Sequence, residues 1–378
     1  MYFDFSEEQY LARDSARAFL AERMPTTRLR QLLETDTGFD RDVWKGLAAL
    51  GWTGVLVPEE HGGLGLGFLD LALPLEESGG ALLPAPLVET AVMAPVALRA
   101  ASPAQQARWL PGIAGGDLLA TVALTGAEGL ASPAGIGVRA RPDDGEWILD
   151  GQVLLVPFGE IADLVLVAAR SESGSGTDEV SLFVVEAGDR GASWQPLAGL
   201  DPTVRLSAMT LQSLRLPADR LVGEPGRGGG PLRRALEAGA TSLALQAVGG
   251  ASRALAMAVE YAKVRHQFGK PIGSFQAIKH ACADMLVQCE TTRSGAYYAA
   301  WAVDADDADA GAAAAMAKAT CTEMFRSVSG AAIQIHGGIG FTWEHDLHFY
   351  FKRATYLAFA LGTPSQHREV VAAACLAR

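Results

Sequence analysis

The spacing of apolar and polar positions gives the chain three textures. In the first, up to residue 117, apolar residues recur at helical intervals. Ser6-Glu7-Glu8-Gln9 has the form of a capping box, with a serine hydroxyl over a free backbone N–H and a glutamine reaching back. Tyr10, Leu11, Ala18, Phe19 and Leu20 follow at helical spacing. Trp44, Leu47 and Leu50, stopped by Gly51, predict another helix. Pro58 to Gly67 is a glycine-rich loop, Leu69 to Ser78 resumes the helical pattern, and Pro103 to Leu110 is a short helix.

The second texture covers 118–225. Ala120–Leu124 is a short β-type run, Ile136–Arg141 alternates, and Glu146–Gly151 leads through a turn into Val153–Val156. Leu164–Ala169, Val180–Glu186 and Met209–Leu216 follow at strand length, parted by Gly, Pro, Asp and Ser. The third texture covers 226–378. Leu232–Ala262, Phe275–Ala302, Gly311–Gly330 and Leu347–Leu361 are long, Ala-rich and amphipathic, and suit an antiparallel four-helix bundle. The fold class expected is therefore α+β multidomain: an N-terminal helical domain (1–117), a β-barrel-like middle domain (118–225) and a C-terminal bundle (226–378).

Composition narrows the function. Of 378 residues, 49% are hydrophobic and 20% charged, which excludes an intrinsically disordered chain. The net charge of −12 argues against nucleic acid or an anionic membrane surface as the main partner. The longest uncharged stretch, Ser327–Trp343, is too polar to span a bilayer, so no membrane span is expected. No basic region followed by an apolar core opens the chain. Cys282, Cys289, Cys321 and Cys375 form no Cys-x-x-Cys pair, which reads as free thiols in a reducing, cytoplasmic compartment. The histidines and cysteines show no metal spacing, and no Gly-x-Ser-x-Gly elbow is present. Gly223–Gly230 lacks the Gly-Lys-Ser/Thr ending of a phosphate loop and reads as a linker.

Two segments carry the chemistry. The first is Tyr261-Ala-Lys-Val-Arg-His-Gln-Phe-Gly-Lys-Pro-Ile-Gly-Ser-Phe-Gln276, continuing to Met285. A guanidinium at Arg265, before a Gly-Lys-Pro turn, can pair bidentately with a pyrophosphate. The second is Gln334-Ile-His-Gly-Gly-Ile-Gly-Phe-Thr-Trp-Glu344, continuing to Ala354. Its glycines let backbone approach a ligand and offer N–H groups. Together, and in this order, the segments resemble the two C-terminal signatures of the acyl-CoA dehydrogenase family. Pro58-Glu-Glu-His-Gly-Gly-Leu-Gly65 resembles a third family segment, and the order helices, β, helices matches too.

The resemblance implies an FAD-dependent enzyme that desaturates an acyl-CoA thioester between its α and β carbons. It implies that Arg265, Phe268, Gln334, Gly337 and Gly338 serve the ADP half of a flavin held mainly by a neighbouring chain. That means an oligomer, usually a dimer or tetramer, with an electron-transferring flavoprotein as the habitual acceptor.

Other positions depart from the family. The usual base is a glutamate before a Gly-Thr pair; here the pair is Gly362-Thr363 and the base position is Leu361. A minority of members carry the base on the preceding helix, a position that falls on Gly239, beside Ala240; Glu237 is the nearest acid and lies about 200° round the helix. The flavin-holding Thr-Glu-Pro-x-x-Gly-Ser-Asp segment keeps only Thr125. The Trp-Ile-Thr/Ser segment reads Leu155-Val-Pro157, so a stacking ring and a hydroxyl are gone. Thr363 remains able to touch a flavin. Residues for the chain's own flavin face are thus degraded while those reaching a neighbour's are kept. This favours one half of a heteromeric α₂β₂ enzyme whose sister chain supplies the glutamate, an arrangement found in bacterial steroid side-chain breakdown. The alternatives are a self-sufficient flavoenzyme of this fold using another group, such as Glu237, Glu344 or His336, and a flavin-free scaffolding subunit.

Overall fold

The computed structural model describes residues 4–124, 135–171 and 179–377. The first helix, α1 (Glu7–Arg23), starts as its sequence dictates: Gln9 N–H donates to Ser6 Oγ (3.2 Å) and Ser6 N–H to Gln9 Oε1 (2.9 Å). It is followed by α2 (Thr26–Leu33), α3 (Arg41–Ala49), α4 (Phe68–Gly80), α5 (Ala94–Leu98) and α6 (Pro103–Ala114). Asp40 caps α3, and a second capping box, Ser102 with Gln105, opens α6 with Pro103 in its first turn. The stretch Val88–Met93 is a run of π-type turns buried on every side, Glu89 and Thr90 included, so no apolar periodicity announces it.

The strands are β1 (Ala120–Ala123), β2 (Arg139–Asp143), β3 (Glu146–Pro157), β4 (Leu164–Ser171), β5 (Val180–Glu186), β6 (Ala192–Leu197), β7 (Leu206–Pro217) and β8 (Leu221–Val222). Their order in the sheet is β6-β7-β3-β2-β4-β5-β8, with β1 parallel beside β4 (Ala120 opposite Leu164). Edge strand β6 is missing from the sequence-based reading because its positions are exposed or half-buried and carry no apolar run. The sheet's core is built on Leu149, Val167, Phe183, Met209 and Leu214. Pairing of β3 with β7 slips between Val153 and Val156, and this bulge puts Leu155 at φ +58° with its side chain 48% exposed.

The helices after the sheet are α7 (Gly229–Val264), α8 (Gln276–Asp304), α9 (Ala310–His336), α10 (Leu347–Phe359) and α11 (Pro364–Leu376), with a small hairpin of β9 (His266–Gln267) and β10 (Lys270–Pro271) between α7 and α8. Helix α9 passes through Gly330, where the pattern suggests a stop, and runs on to His336. Helix α11 is a further element, opened by a third capping box of Thr363 with Gln366. The order of N-terminal helices, central sheet and C-terminal helices is as expected.

By contacts the described chain forms two compact units, 1–31 with 69–83 and 240–378, and 32–68 with 84–239. Among the described residues α7 is long and apolar enough to cross a membrane by length and composition, and 72% of its apolar window is buried inside the protein.

In the first unit α4 and α7 cross with backbone against backbone. A Cβ on Gly249 would lie 1.8 Å from Glu76 O, and one on Gly79 would lie 2.0 Å from Gln246 O. Only glycine fits at this crossing. Gly249→Ala is therefore expected to lose about 2 kcal/mol in chemical denaturation, because overpacking against rigid backbone outweighs the ~1 kcal/mol propensity gain of alanine. An unchanged midpoint would show that the crossing is looser than this.

Beside the crossing sits a half-buried polar network. Arg293 donates from Nε to Glu76 Oε1 (3.2 Å) and from Nη2 to Ser252 Oγ (2.8 Å), and it also pairs with Glu290. Tyr297 OH donates to Glu76 Oε2 (2.7 Å). Burial raises the Glu76 carboxyl above its usual range although Arg293 and Tyr297 pull it down.

Candidate cofactor and active site

The C-terminus of α9 builds the first half of the site. His336 is its last residue, and Gly337 turns the chain away at φ +64°. Gln334, Gly337 and Gly338 are exposed and line a cavity of about 390 Å³ with Ile333, Phe341 and Phe351. Nothing lies within 4 Å of a Cβ built on Gly337 or Gly338, so their backbone faces open space. Gly340 has the opposite role: its Cα packs down on α9, where a Cβ would meet Ile333 O at 3.0 Å. These groups suit the phosphates and sugar of a dinucleotide, which call for close backbone approach and a side-chain amide.

Arg265 and Phe268 sit elsewhere, on the β9–β10 hairpin. Helix α7 ends at Val264, Arg265 N–H still bonds to Tyr261 O (2.9 Å), and Ile272 N–H closes the hairpin onto Arg265 O (2.8 Å). Phe268 and Gly269 form the tip at φ +52° and +78°. A phenylalanine in the left-handed region and 92% exposed carries two costs at once, steric and hydrophobic. Its ring meets Phe275 edge-on at 6.1 Å, and Lys270 lies over Phe275 at 4.5 Å. Among the described residues the Arg265 guanidinium has no hydrogen-bond or ion-pair partner.

What ties hairpin to cradle is a pair the sequence reading does not single out. Tyr261, one turn before Arg265, stacks on His336 at 4.2 Å and 21°. His336 is buried and its Nδ1 lies 2.8 Å from Ala332 O. Burial pushes its pKa down, so it shapes the loop as a neutral ring. Glu344 is exposed; hydrogen bonds from its own backbone N–H and from Thr342 hold its carboxyl below the usual range.

The turn at Leu361–Gly362, where the sequence reading puts the base position, is held on several sides. Leu361 stands at φ +55° and Gly362 at +107°. His367 Nε2 lies 3.0 Å from Leu361 O, and Lys318 Nζ donates to Gly362 O (3.2 Å). Lys318 is fully buried, and burial pulls its pKa down to about 7. His367 is pushed down to about 4, first by burial and then by the field of Lys318. Thr363 spends its hydroxyl on capping α11, accepting from Gln366 N–H (3.3 Å) and donating to Gln366 Oε1 (3.1 Å).

The other positions are separate. Glu237 is half-buried on α7, 3.9 Å from Arg233, and Gly239 and Ala240 are buried. Leu155 is an exposed apolar residue on the β3 bulge, and Pro157 O accepts from Thr121 Oγ1 (2.6 Å). Thr125 lies outside the described residues. A cavity of about 610 Å³ elsewhere in the first unit is lined by Arg17, Met24, Glu76, Arg253 and Tyr350, and holds none of the residues singled out from the sequence.

Comparison with known proteins gives the class. A model of the acyl-CoA dehydrogenase N-terminal domain matches residues 6–117, and one of the acyl-CoA dehydrogenase C-terminal domain matches 226–376. The chain belongs to the acyl-CoA dehydrogenase family, FAD-dependent oxidoreductases acting on CH–CH bonds. It is similar to the acyl-CoA dehydrogenase IpdE2 of Mycobacterium tuberculosis, 32% identical over 361 residues and 95% of each chain. Its fold is that of butyryl-CoA dehydrogenase from Megasphaera elsdenii (TM-score 0.91, 28% identity, 100% of both chains). It also matches a chain of the ChsE4–ChsE5 complex from Mycobacterium tuberculosis (TM-score 0.89, 30% identity, 98% of both).

Proposed function

We propose that this chain is one half of a heteromeric acyl-CoA dehydrogenase that desaturates an acyl-CoA thioester between its α and β carbons. A sister chain supplies the proton-abstracting glutamate and most of the FAD pocket. The observation that carries this reading is the division of the site. The residues aimed at a neighbour, Arg265, Phe268, Gln334, Gly337 and Gly338, are exposed and mostly unspent, whereas Leu361 occupies the base position. A leucine takes no proton, and a carboxylate is what α-proton removal needs. The ChsE4–ChsE5 likeness supports a two-chain assembly.

When bound, FAD supplies hydride acceptance from the β-carbon. The chain's own residues bind and orient. Arg265 gives paired N–H donors to the pyrophosphate, Phe268 covers the adenine, and Gln334 with the backbone at Gly337 and Gly338 completes the hold on the ADP half. Placing these groups on the neighbour of the base-bearing chain makes the flavin site depend on assembly. An electron-transferring flavoprotein would then take up the electrons.

The test is to purify the chain alone and together with an acyl-CoA dehydrogenase chain encoded beside it. Flavin absorbance and dye-coupled acyl-CoA oxidation are expected only in the mixed complex. Full FAD content and turnover in the lone chain would overturn the proposal in favour of a self-sufficient enzyme.

A further inference from the structure

The hairpin is closed by Ile272 N–H on Arg265 O and the cradle by Gly340 against α9, but neither contact fixes the one segment relative to the other. Gly337 and Gly338 have no side chains to pack, and the hairpin tip is exposed. Both nevertheless grow from the two helix ends that the Tyr261–His336 stack joins. His336 also meets His345, whose ring lies 4.5 Å away at 58°. His345 is held in turn, with Leu347 N–H donating to its Nδ1 (3.2 Å). Its neighbour Asp346 is gripped by Arg30 of α2 (2.7 Å), which lies 4.9 Å over the Phe349 ring.

We infer that His336 is a positioning residue: as a ring packed on both Tyr261 and His345, it sets the spacing between the Arg265–Phe268 hairpin and the Gln334–Gly338 cradle, and so the grip on a neighbour's FAD. This rests on the proposed function, which makes both segments part of one dinucleotide site.

Burial of the His336 ring disfavours its charged form. The titratable groups facing His336 are Tyr261 from α7 and His345 from the turn before α10; Arg30 and Asp346 stand behind His345 and act on it. Burial lowers the pKa of His336 first, and the field of His345 lowers it further. The sign follows: the packed ring binds its proton less readily than the unfolded chain does. Its contribution is complete above the ordinary histidine value and is lost as pH falls from there through the lowered one.

The test uses the complex with its flavin-bearing neighbour, reading FAD dissociation by flavin fluorescence at pH 7.5 and 5.5. The wild type is expected to lose affinity at the lower pH. His336→Phe, which keeps a flat ring and has no proton to gain, is expected to hold FAD equally at both. Tyr261→Leu removes the stack and should weaken FAD about two- to tenfold at pH 7.5 in a folded complex, the range of an aromatic pair. In the full chain without FAD, the His336 ring proton should titrate below the ordinary histidine range by NMR. Wild-type pH dependence in His336→Phe, unchanged affinity in Tyr261→Leu, or an ordinary titration each overturn the inference alone. A wild-type complex without FAD overturns the proposed function and this inference with it.

Discussion

Arg293→Met is expected to destabilise the protein by about 2–3 kcal/mol, the cost of leaving a half-buried carboxylate without its cation. Glu76 lies beside the α4–α7 crossing, and its two described partners are Arg293 and the Tyr297 hydroxyl. Burial already pushes its carboxyl toward the neutral form, so removing the guanidinium leaves a charge that only Tyr297 and the water of the adjoining cavity can satisfy. The effect depends on the charge and not on lost packing, since methionine keeps most of the stem volume. Adding Glu76→Gln to Arg293→Met should therefore restore at least half of the loss. Denaturant midpoints of the two singles and the double check this, and a double variant as poor as the sum of the singles would refute it.

The second large effect concerns Lys318, buried in α9 with Gly362 O as its described acceptor. Its folded pKa is about 7 against an ordinary value of 10.5. Between these values the unfolded chain keeps the proton and the folded chain gives it up. Stability therefore rises with pH from about 7, by about 1.4 kcal/mol per pH unit for this one group. Below 7 the lysine is charged in both states and the burial penalty is complete. Cys321 on α9 and His367 on α11 are the titratable groups coupled to it. Lys318→Met should be more stable than wild type at pH 7, and the two melting curves should converge as pH rises to 8.5. Parallel curves across that range would show that the lysine is charged and paired in the folded state. The thiols of Cys289 and Cys321, raised by burial, reverse the slope at higher pH, which is why the window stops there.

The sequence shows its local signals well. The Ser6–Gln9 capping box is read from the sequence, while the same Ser/Thr-x-x-Gln spacing at Ser102 and Thr363, which opens α11, is passed over; the Arg265 and Gln334 segments stand out because short-range spacing is all they need. What escapes is whatever depends on distant neighbours. Lys318 in an alanine-rich run looks like an exposed charge until α11 packs over it. Tyr261 and His336 are far apart in sequence and meet only where two helix ends converge. The strand Ala192–Leu197 alternates only over Ala192-Ser-Trp-Gln195, too short a signal for an edge strand with no fully buried position, and Val88–Met93 shows no alternation because it is buried all round. The departures at Leu361, Leu155 and Pro157 are plain in the sequence, yet the left-handed backbone at Leu361 and Leu155 is not, since leucine gives no hint of it.

The Leu361 turn has one more consequence. Its shape is imposed from behind, by Lys318 on Gly362 O, by His367 on Leu361 O and by the Thr363–Gln366 cap, none of which uses the side chain at 361. A leucine held at φ +55° stores about 1–2 kcal/mol of strain that the turn itself does not need. The turn is thus a socket whose occupant is interchangeable. A side chain exchanged at 361 leaves every bond of that frame in place.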